Sequence, residues 1–307
     1  MCMILKLIFL YTLRYIVPHL PHRLLMKVGD LSGWLDNKGE KNGIIKRELR
    51  RMLGDGVTDK ELERITLESL RMFHKDLYEI WSFPTLTAKK MSQIGMLSGQ
   101  EHLDAVLEQK KGAVIGVTHF GSWKIIIPAL AYAGYPTLQV AVNPLSFIDP
   151  KNGAVNNIVM EIEYRCEKSL PVKFVYINEY MREIYRHLKG NGVVIMSFDG
   201  LERRREKKFM LLQMEMGLDT TPLEFAIRNK VPFLPVFAIR GADNHHRIVI
   251  HPPLDIDYDL DRKEALQAAF VQYSGILEEQ VRQWPSHYAR SLYVFACRWF
   301  QEVNAVQ

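Results

Sequence analysis

Apolar and polar positions follow two different patterns along the chain, and the change falls near residue 112. Before it, apolar residues recur at helical spacing, most clearly over residues 58–81. Thr58 and Glu61 stand three residues apart at the start of that helix, as in a capping box, and Pro84 follows its end. After residue 112, short apolar runs typical of buried strands are separated by helical stretches. The predicted strands are residues 112–118, 137–142, 172–177, 193–198, 209–214, 233–240 and 247–251. Strands that alternate with helices predict an α/β fold with a largely parallel central sheet flanked by helices.

The first residues are a hydrophobic helical lead-in to that fold. Residues 3–17 are apolar except for Lys6, Thr12 and Arg14. As a helix they would reach about 22 Å, which is less than the roughly 30 Å of a bilayer's hydrocarbon core. Three interpretations are open: a buried helix, a helix in the membrane interface with its basic residues near headgroups, and a single span. We predict that residues 1–30 associate with a membrane and that residues 31–307 form one α/β domain.

Composition narrows the class of protein. The chain has 307 residues, of which 48% are hydrophobic and 24% charged, and this excludes a disordered, collagen-like or polytopic membrane protein. The net charge of +5 is small, but basic residues concentrate in the lead-in and in residues 202–208, ERRREKK. Aromatic residues do not interleave with those basic residues, so no nucleic acid is expected. We also expect no metal, because the histidines near residue 246 have no cysteine or carboxylate at ligand spacing.

A histidine stands where a parallel sheet binds its ligands. His119 follows the predicted strand 112–118, and Gly121 lies in the turn to the next helix. Ligands bind beyond the carboxyl ends of such strands, and N–H groups at a helix start can hold an oxyanion. A histidine at this edge can act as a general base on a hydroxyl; the alternative is a structural or surface residue.

Two longer blocks carry a resemblance to a known family. Residues 112–145 read GAVIGVTHFGSWKIIIPALAYAGYPTLQVAVNPL, with His-Phe-Gly-Ser-Trp at 119–123 and Asn143-Pro144. Residues 190–241 contain a strand ending in Asp199, a basic stretch, a Thr-Pro helix start and a VPFLPVF strand. Together they resemble the bacterial lauroyl/myristoyl lipid A acyltransferases, within the lysophospholipid acyltransferase superfamily. The resemblance covers most of the chain.

This resemblance implies an acyltransferase with a defined site. The expected activity is membrane-associated O-acyl transfer from an acyl thioester, of acyl carrier protein or CoA, to a hydroxyl of a glycolipid or phospholipid such as a lipid A precursor. No other cofactor is implied. His119 would be the general base. Separately from the family pattern, we predict Asp199 as its catalytic partner, because Asp199 ends a neighbouring strand at the same edge of the sheet. The expected substrate-binding residues are Gly121, Ser122, Trp123, Asn143, Arg203, Arg204 and Arg205.

Two positions depart from the family pattern. The family's motif is His, four residues, then Asp or Glu, and here Lys124 holds the place of the acid. Gln139 stands near the place of an arginine that the family carries before Asn-Pro. Asp199, Glu202 or backbone carbonyls are the candidates to orient the histidine instead. The alternative function is therefore a catalytically impaired lipid-binding protein of the same fold. The resemblance places the protein at the cytoplasmic face of a bacterial inner membrane, either peripherally or through one N-terminal anchor.

Overall fold

The computed structural model describes residues 11–148, 154–177, 182–200 and 205–305. Residues 11–16 are helical. The helices that follow are α1 (His22–Asp36), α2 (Glu40–Leu53), α3 (Asp59–Ser82), α4 (Ala88–Ile94), α5 (Gln100–Glu108), α6 (Ile126–Tyr132), α7 (Ala154–Lys168), α8 (Arg182–Lys189), α9 (Thr221–Asn229), α10 (Arg262–Gln283) and α11 (Pro285–Ala305). The strands are β1 (Gly95–Ser98), β2 (Ala113–Val117), β3 (Thr137–Ala141), β4 (Lys173–Tyr176), β5 (Val193–Ser197), β6 (Glu206–Leu211), β7 (Met214–Asp219), β8 (Phe233–Arg240) and β9 (His246–Ile250). Short 3₁₀ turns cover Val17–His19, Phe83–Thr85, Trp123–Ile125 and Pro144–Phe147.

The main sheet has the strand order β1-β9-β8-β2-β5-β3-β4. Its neighbouring strands run parallel, except that β8 and β9 are antiparallel. This confirms the predicted α/β fold with a largely parallel sheet, flanking helices and an N-terminal helical segment. The strand β2 lies in the middle, between β5 and β8, so the residues that follow it emerge at the centre of the sheet's carboxyl edge.

Both faces of the sheet are covered by apolar side chains. All five residues of β2 are buried. Val114 packs into the core on one face, while Ile115 and Val117 pack into the core on the other. Successive strand residues point to opposite faces, so burial of both faces explains why the central strands are uninterrupted apolar runs.

One predicted strand is wrong. Residues 209–214 form parts of two antiparallel strands, β6 and β7, which pair with each other outside the main sheet. The chain reverses at Leu212, whose φ is 55°. Neither glycine nor proline marks this reversal, so the run FMLLQM carries no turn signal. The pattern also predicts no element for α4, β1 and α5.

The helix α1, which begins within the predicted lead-in, packs closely against the rest of the protein. Gly29 and Gly33 of α1 face α3, and a Cβ on Gly33 would overlap the backbone of Arg71. Leu25 and Met26 of α1 are buried in the core. The prediction for the first segment falls partly on residues 1–10, which lie outside the described residues. Among the helices of the described ranges, none combines the length and the apolar character needed to cross a bilayer.

Candidate active site

The register of two central strands brings His119 beside Asp199. Val117 at the end of β2 lies opposite Ser197 at the end of β5. The Phe198 N–H donates to the Val117 carbonyl at 3.0 Å, which extends the pairing by one residue. Two residues beyond the paired ends, His119 and Asp199 therefore leave the sheet side by side.

The Asp199 carboxylate collects hydrogen bonds from both His119 and its neighbours. The His119 ring Nδ1 lies 2.8 Å from Asp199 Oδ1, and the His119 backbone N–H donates to both carboxylate oxygens at 2.9 and 3.0 Å. The Ser197 hydroxyl donates to Oδ1 at 3.0 Å. Ser291 of α11 donates to the His119 carbonyl at 2.9 Å and lies 3.4 Å from Asp199 Oδ2. Burial alone would raise the pKa of Asp199, but the neighbouring His119 and these hydrogen bonds hold that pKa below its usual range.

This geometry makes the other ring nitrogen of His119, Nε2, the one that can accept a proton from a substrate. A carboxylate at Nδ1 accepts a hydrogen bond from the Nδ1–H tautomer, and the lone pair then lies on Nε2. The side chain of Asp199 is 1% exposed, whereas that of His119 is 31% exposed. The Trp123 ring lies edge-on to the His119 ring with centroids 4.7 Å apart. A buried acid that orients a solvent-accessible imidazole is the arrangement that general-base catalysis needs.

The turn after His119 packs against β8 and α11. Gly121 has a φ of 57°, and a Cβ there would overlap the Ala238 carbonyl oxygen, so the position requires glycine. The Gly121 N–H donates to the His287 carbonyl at 2.8 Å. That N–H is already engaged, so an oxyanion site made by this turn stays a prediction and would need donors other than Gly121.

Ser122 is hydrogen-bonded to a buried ionic network formed by Asp76, Glu79 and Arg240. Its hydroxyl donates to Asp76 Oδ1 at 2.6 Å and accepts from the Arg240 guanidinium at 3.1 Å. Arg240 also contacts Asp76 at 2.7 Å and Glu79 at 2.5 Å. Burial would raise the pKa of Glu79, but Arg240 and His246 hold it well below its usual range. The Ser122 hydroxyl therefore joins the turn to α3 and β8, and a role of Ser122 in substrate binding stays a prediction.

His246 is buried at the first residue of β9. It is 1% exposed, and its Nε2 lies 3.1 Å from both oxygens of Glu79. His22 of α1 reaches the same carboxylate at 2.7 Å. The two histidines therefore belong to the ionic network of Arg240. Within the described part of the chain, no group of three or more His, Cys, Asp or Glu side chains is arranged so that it could hold a metal ion.

Comparison with known proteins decides the family. The family model for bacterial lipid A biosynthesis acyltransferases matches residues 3–291. The chain belongs to this family. A comparison with curated proteins finds no match.

Position 124 holds a lysine where the family pattern has an acid, and this lysine pairs with two glutamates. Lys124 forms ion pairs with Glu163 and Glu167 of α7, the second at 2.6 Å. Gln139 is buried, and its amide donates to the Val140 carbonyl at 2.6 Å. The carboxylate at His119 comes instead from Asp199, which lies 80 residues away in the chain.

Two of the remaining predicted substrate-binding residues, Asn143 and Arg205, lie in the described part of the chain. The Asn143 side chain caps the 3₁₀ turn at Pro144–Phe147 by accepting the Leu145 N–H at 3.0 Å. Arg205 is half-exposed and forms an ion pair with Glu224 of α9. Arg203, Arg204 and Glu202 lie outside the described residues.

Sequence reasoning did not find the supporting residues Asp76, Glu79, Arg240 and His287. The only available signal was their type, because charged residues are unusual on the buried face of a helix or at the end of an apolar strand. Arg240 closes the strand VPFLPVFAIR, and Asp76 and Glu79 are spaced three residues apart, so both lie on one helix face. Their contacts span more than 160 residues of sequence, which no local pattern encodes.

Proposed function

We propose that this member of the lipid A acyltransferase family is an active, membrane-associated O-acyltransferase in which His119 is the general base and Asp199 orients it. The donor would be an acyl thioester of acyl carrier protein or CoA, and the acceptor a hydroxyl of a glycolipid or phospholipid such as a lipid A precursor. The observation that carries the proposal is the 2.8 Å contact between His119 Nδ1 and Asp199. It supplies the orientation that Lys124 cannot give.

The proposed reaction needs one base and one thioester. His119 Nε2 takes the proton of the acceptor hydroxyl as its oxygen attacks the thioester carbonyl carbon, so a C–O bond forms and the carbonyl oxygen becomes an oxyanion. Collapse of the tetrahedral intermediate breaks the C–S bond, and the leaving thiolate receives the proton from the imidazolium. Asp199 stays ionised and stabilises that imidazolium while it exists.

The membrane part of the proposal is supported by the outer face of α1. This face carries exposed apolar side chains, namely Leu24 at 44%, Leu31 at 58%, Trp34 at 43% and Leu35 at 54% exposure. The acids of α1 are neutralised from the protein side: Asp30 pairs with Lys75 at 2.8 Å, and Asp36 pairs with Lys41 at 3.0 Å. Apolar residues beside unneutralised basic ones suit an interface with anionic headgroups.

The basic side chains near this face are Arg23, Lys27 and Lys38, and within the described ranges they make no ion pair. We propose that they meet anionic headgroups and that the protein acts at the cytoplasmic face of an inner membrane. Arg203–Arg205 are proposed as contacts for a phosphate of the lipid or of the thioester donor.

The function is tested with purified protein in lipid vesicles. Acyl-carrier-protein and CoA thioesters are offered with candidate glycolipid and phospholipid acceptors, and the products are identified by mass spectrometry. His119→Ala should abolish transfer, and Asp199→Asn should lower kcat by about 10⁴-fold because the imidazole loses its orienting carboxylate. His245→Ala, which removes an exposed histidine, is the matched control and should keep full activity. Wild-type rates in His119→Ala would refute the assignment.

Lys124 and Gln139 are the observations that favour a lipid-binding protein without turnover. The same assay separates the two functions. If the wild type transfers no acyl group from any donor yet binds lipid saturably, the binding function replaces the catalytic one.

A further inference from the structure

Lys124 occupies the place of the motif acid as part of a buried ionic cluster. Its side chain is 16% exposed, and those of Glu163 and Glu167 are 18% and 6% exposed. The lysine lies on the 3₁₀ turn Trp123–Ile125, directly after the turn that carries His119. Both glutamates lie on α7, one helical turn apart. The cluster therefore links α7 to residues 119–125, which we call the catalytic turn.

Each member of this cluster depends on the others for its charge. Burial would lower the pKa of Lys124, but the two carboxylates raise it above its ordinary value. Burial would raise the pKa of Glu163, but Lys124 and, after it, Arg290 lower it. Burial raises the pKa of Glu167, since a single ammonium serves two acids. Removal of the lysine would leave two like charges in a buried place, which is strongly unfavourable.

A cleft beside the cluster is lined in part by Trp123, whose ring contacts His119. Trp123, Lys124 and Arg290 line a cleft together with Ile80 and Phe83. Arg290 is held there by stacking over the Phe73 ring at 4.7 Å. The same Trp123 ring contacts the His119 ring, so a shift of this turn away from α7 would move one wall of the cleft and the surroundings of the base together.

We propose that Lys124 is a positioning residue that fixes α7 against the catalytic turn through Glu163 and Glu167. This inference rests on the proposed function, because the geometry it maintains is that of the His119 site. It turns the departure from the family motif into a rearranged site: the carboxylate for the histidine comes from Asp199, and position 124 has an inverted charge that α7 matches. Restoration of the family's acid at position 124 would then place three carboxylates together.

The test compares three variants. Lys124→Glu restores the motif acid and should lower kcat/KM by about 100-fold, as expected for a displaced site, mainly through a higher KM. The charge exchange Lys124→Glu with Glu163→Lys retains one cation and two acids, and the cation then stands on α7, four residues before Glu167. It should recover most of the activity. Lys89→Glu, which changes an exposed lysine with no ion pair in the described ranges, is the matched control and should behave as the wild type.

Two results would overturn the proposal: activity in Lys124→Glu equal to or above the wild type, or an exchange variant no better than the single one. If Lys124→Glu fails to fold, the exchange variant alone decides, since recovery of folding and activity requires the ion pair. If the wild type itself lacks activity, the proposed function fails, and hydrogen exchange of the 154–168 amides then judges the positioning role. Faster exchange in Lys124→Met than in the wild type supports it, and equal exchange refutes it.

Discussion

At the scale of single residues, the site is built from buried polar groups that hydrogen-bond to one another. His287 of α11 is an example: it is 4% exposed, and its Nε2 accepts the Arg240 N–H at 3.1 Å. Its carbonyl holds the Gly121 N–H, so this one residue joins the end of β8 to the catalytic turn. A proton on the His287 ring would remove the acceptor and place a cation beside Arg240.

Because His287 is buried as a neutral imidazole, we expect the protein to become less stable to unfolding in acid. Burial, and then the charge of Arg240, lower the pKa of this histidine to about 3 from its ordinary value of 6.5. Between these values the unfolded chain binds a proton that the folded protein does not, so the free energy of unfolding decreases as the pH falls from 6.5 towards 3, by up to roughly 1.4 kcal/mol per pH unit from this group. Chemical denaturation at several pH values measures it. His287→Gln, which keeps an acceptor, should flatten the slope, while the exposed His245→Gln should not. Equal slopes in His287→Gln and the wild type would contradict the assignment.

The sequence predicts those site residues that follow the ends of strands. His119 and Asp199 could be named because both come directly after apolar runs, and parallel strands bring their carboxyl ends to one edge. Their direct contact depends on the register of β2 and β5, which the sequence does not reveal. The partners of Lys124 could not be named either, because they are chosen by the packing of α7 rather than by any spacing along the chain.

At the scale of elements, the seam between α1 and α3 depends on the absence of a side chain. Gly33 lies so close to Arg71 that even a methyl group requires the helices to separate. Gly33→Ala should therefore lower the free energy of unfolding by about 1–3 kcal/mol, the usual range for an overpacked site. Thermal unfolding of the two proteins provides the measurement.

Gly43 of α2 is the matched control for this substitution. It is exposed, and apart from its own helix backbone no described atom lies within 4 Å of the place where its Cβ would stand. Gly43→Ala should raise the stability by about 1 kcal/mol through helix propensity alone. If Gly33→Ala instead raised the stability, the close packing of α1 against α3 at this glycine would be refuted.

Elements with local signals were predictable, and those without were not. The Thr58 side chain accepts the Glu61 N–H at 3.3 Å, so Thr58 is the N-cap of α3 as predicted. Gly54 ends α2 with a φ of 82°. The β6–β7 hairpin turns at Leu212, where pairing between the two strands and a hydrogen bond from the Gln213 N–H to the Met52 carbonyl at 3.1 Å hold the chain. The four-residue strand β1 is too short to show a period.

At the scale of the whole molecule, the outer face of α1 predicts binding to anionic bilayers. Vesicles with phosphatidylglycerol should bind the protein more tightly than neutral ones, and added salt should weaken that binding. Leu31→Asp with Leu35→Asp should reduce partitioning by about 100-fold or more, because burial of each leucine contributes about 1.5–3 kcal/mol. Flotation of vesicles measures the bound fraction.

The control for this prediction is Val271→Asp on α10. Val271 is 57% exposed, which is close to the exposure of Leu31 and Leu35, but it lies on a different helix. This substitution should leave partitioning unchanged. Equal loss in both variants, or none in the α1 variant, would show that α1 does not meet the bilayer.

The central place of β2 in the sheet also sets the order in which the protein can fold during synthesis. Val114 pairs with Val194 on one side and with Phe233 on the other, so this apolar strand leaves the ribosome well before either neighbour exists. Such long-range pairing is slow, and the waiting strand is exposed to aggregation. The histidine and its carboxylate meet only when the strand has both partners. A truncated nascent chain would therefore be inactive and would depend on chaperones until most of its length had been made.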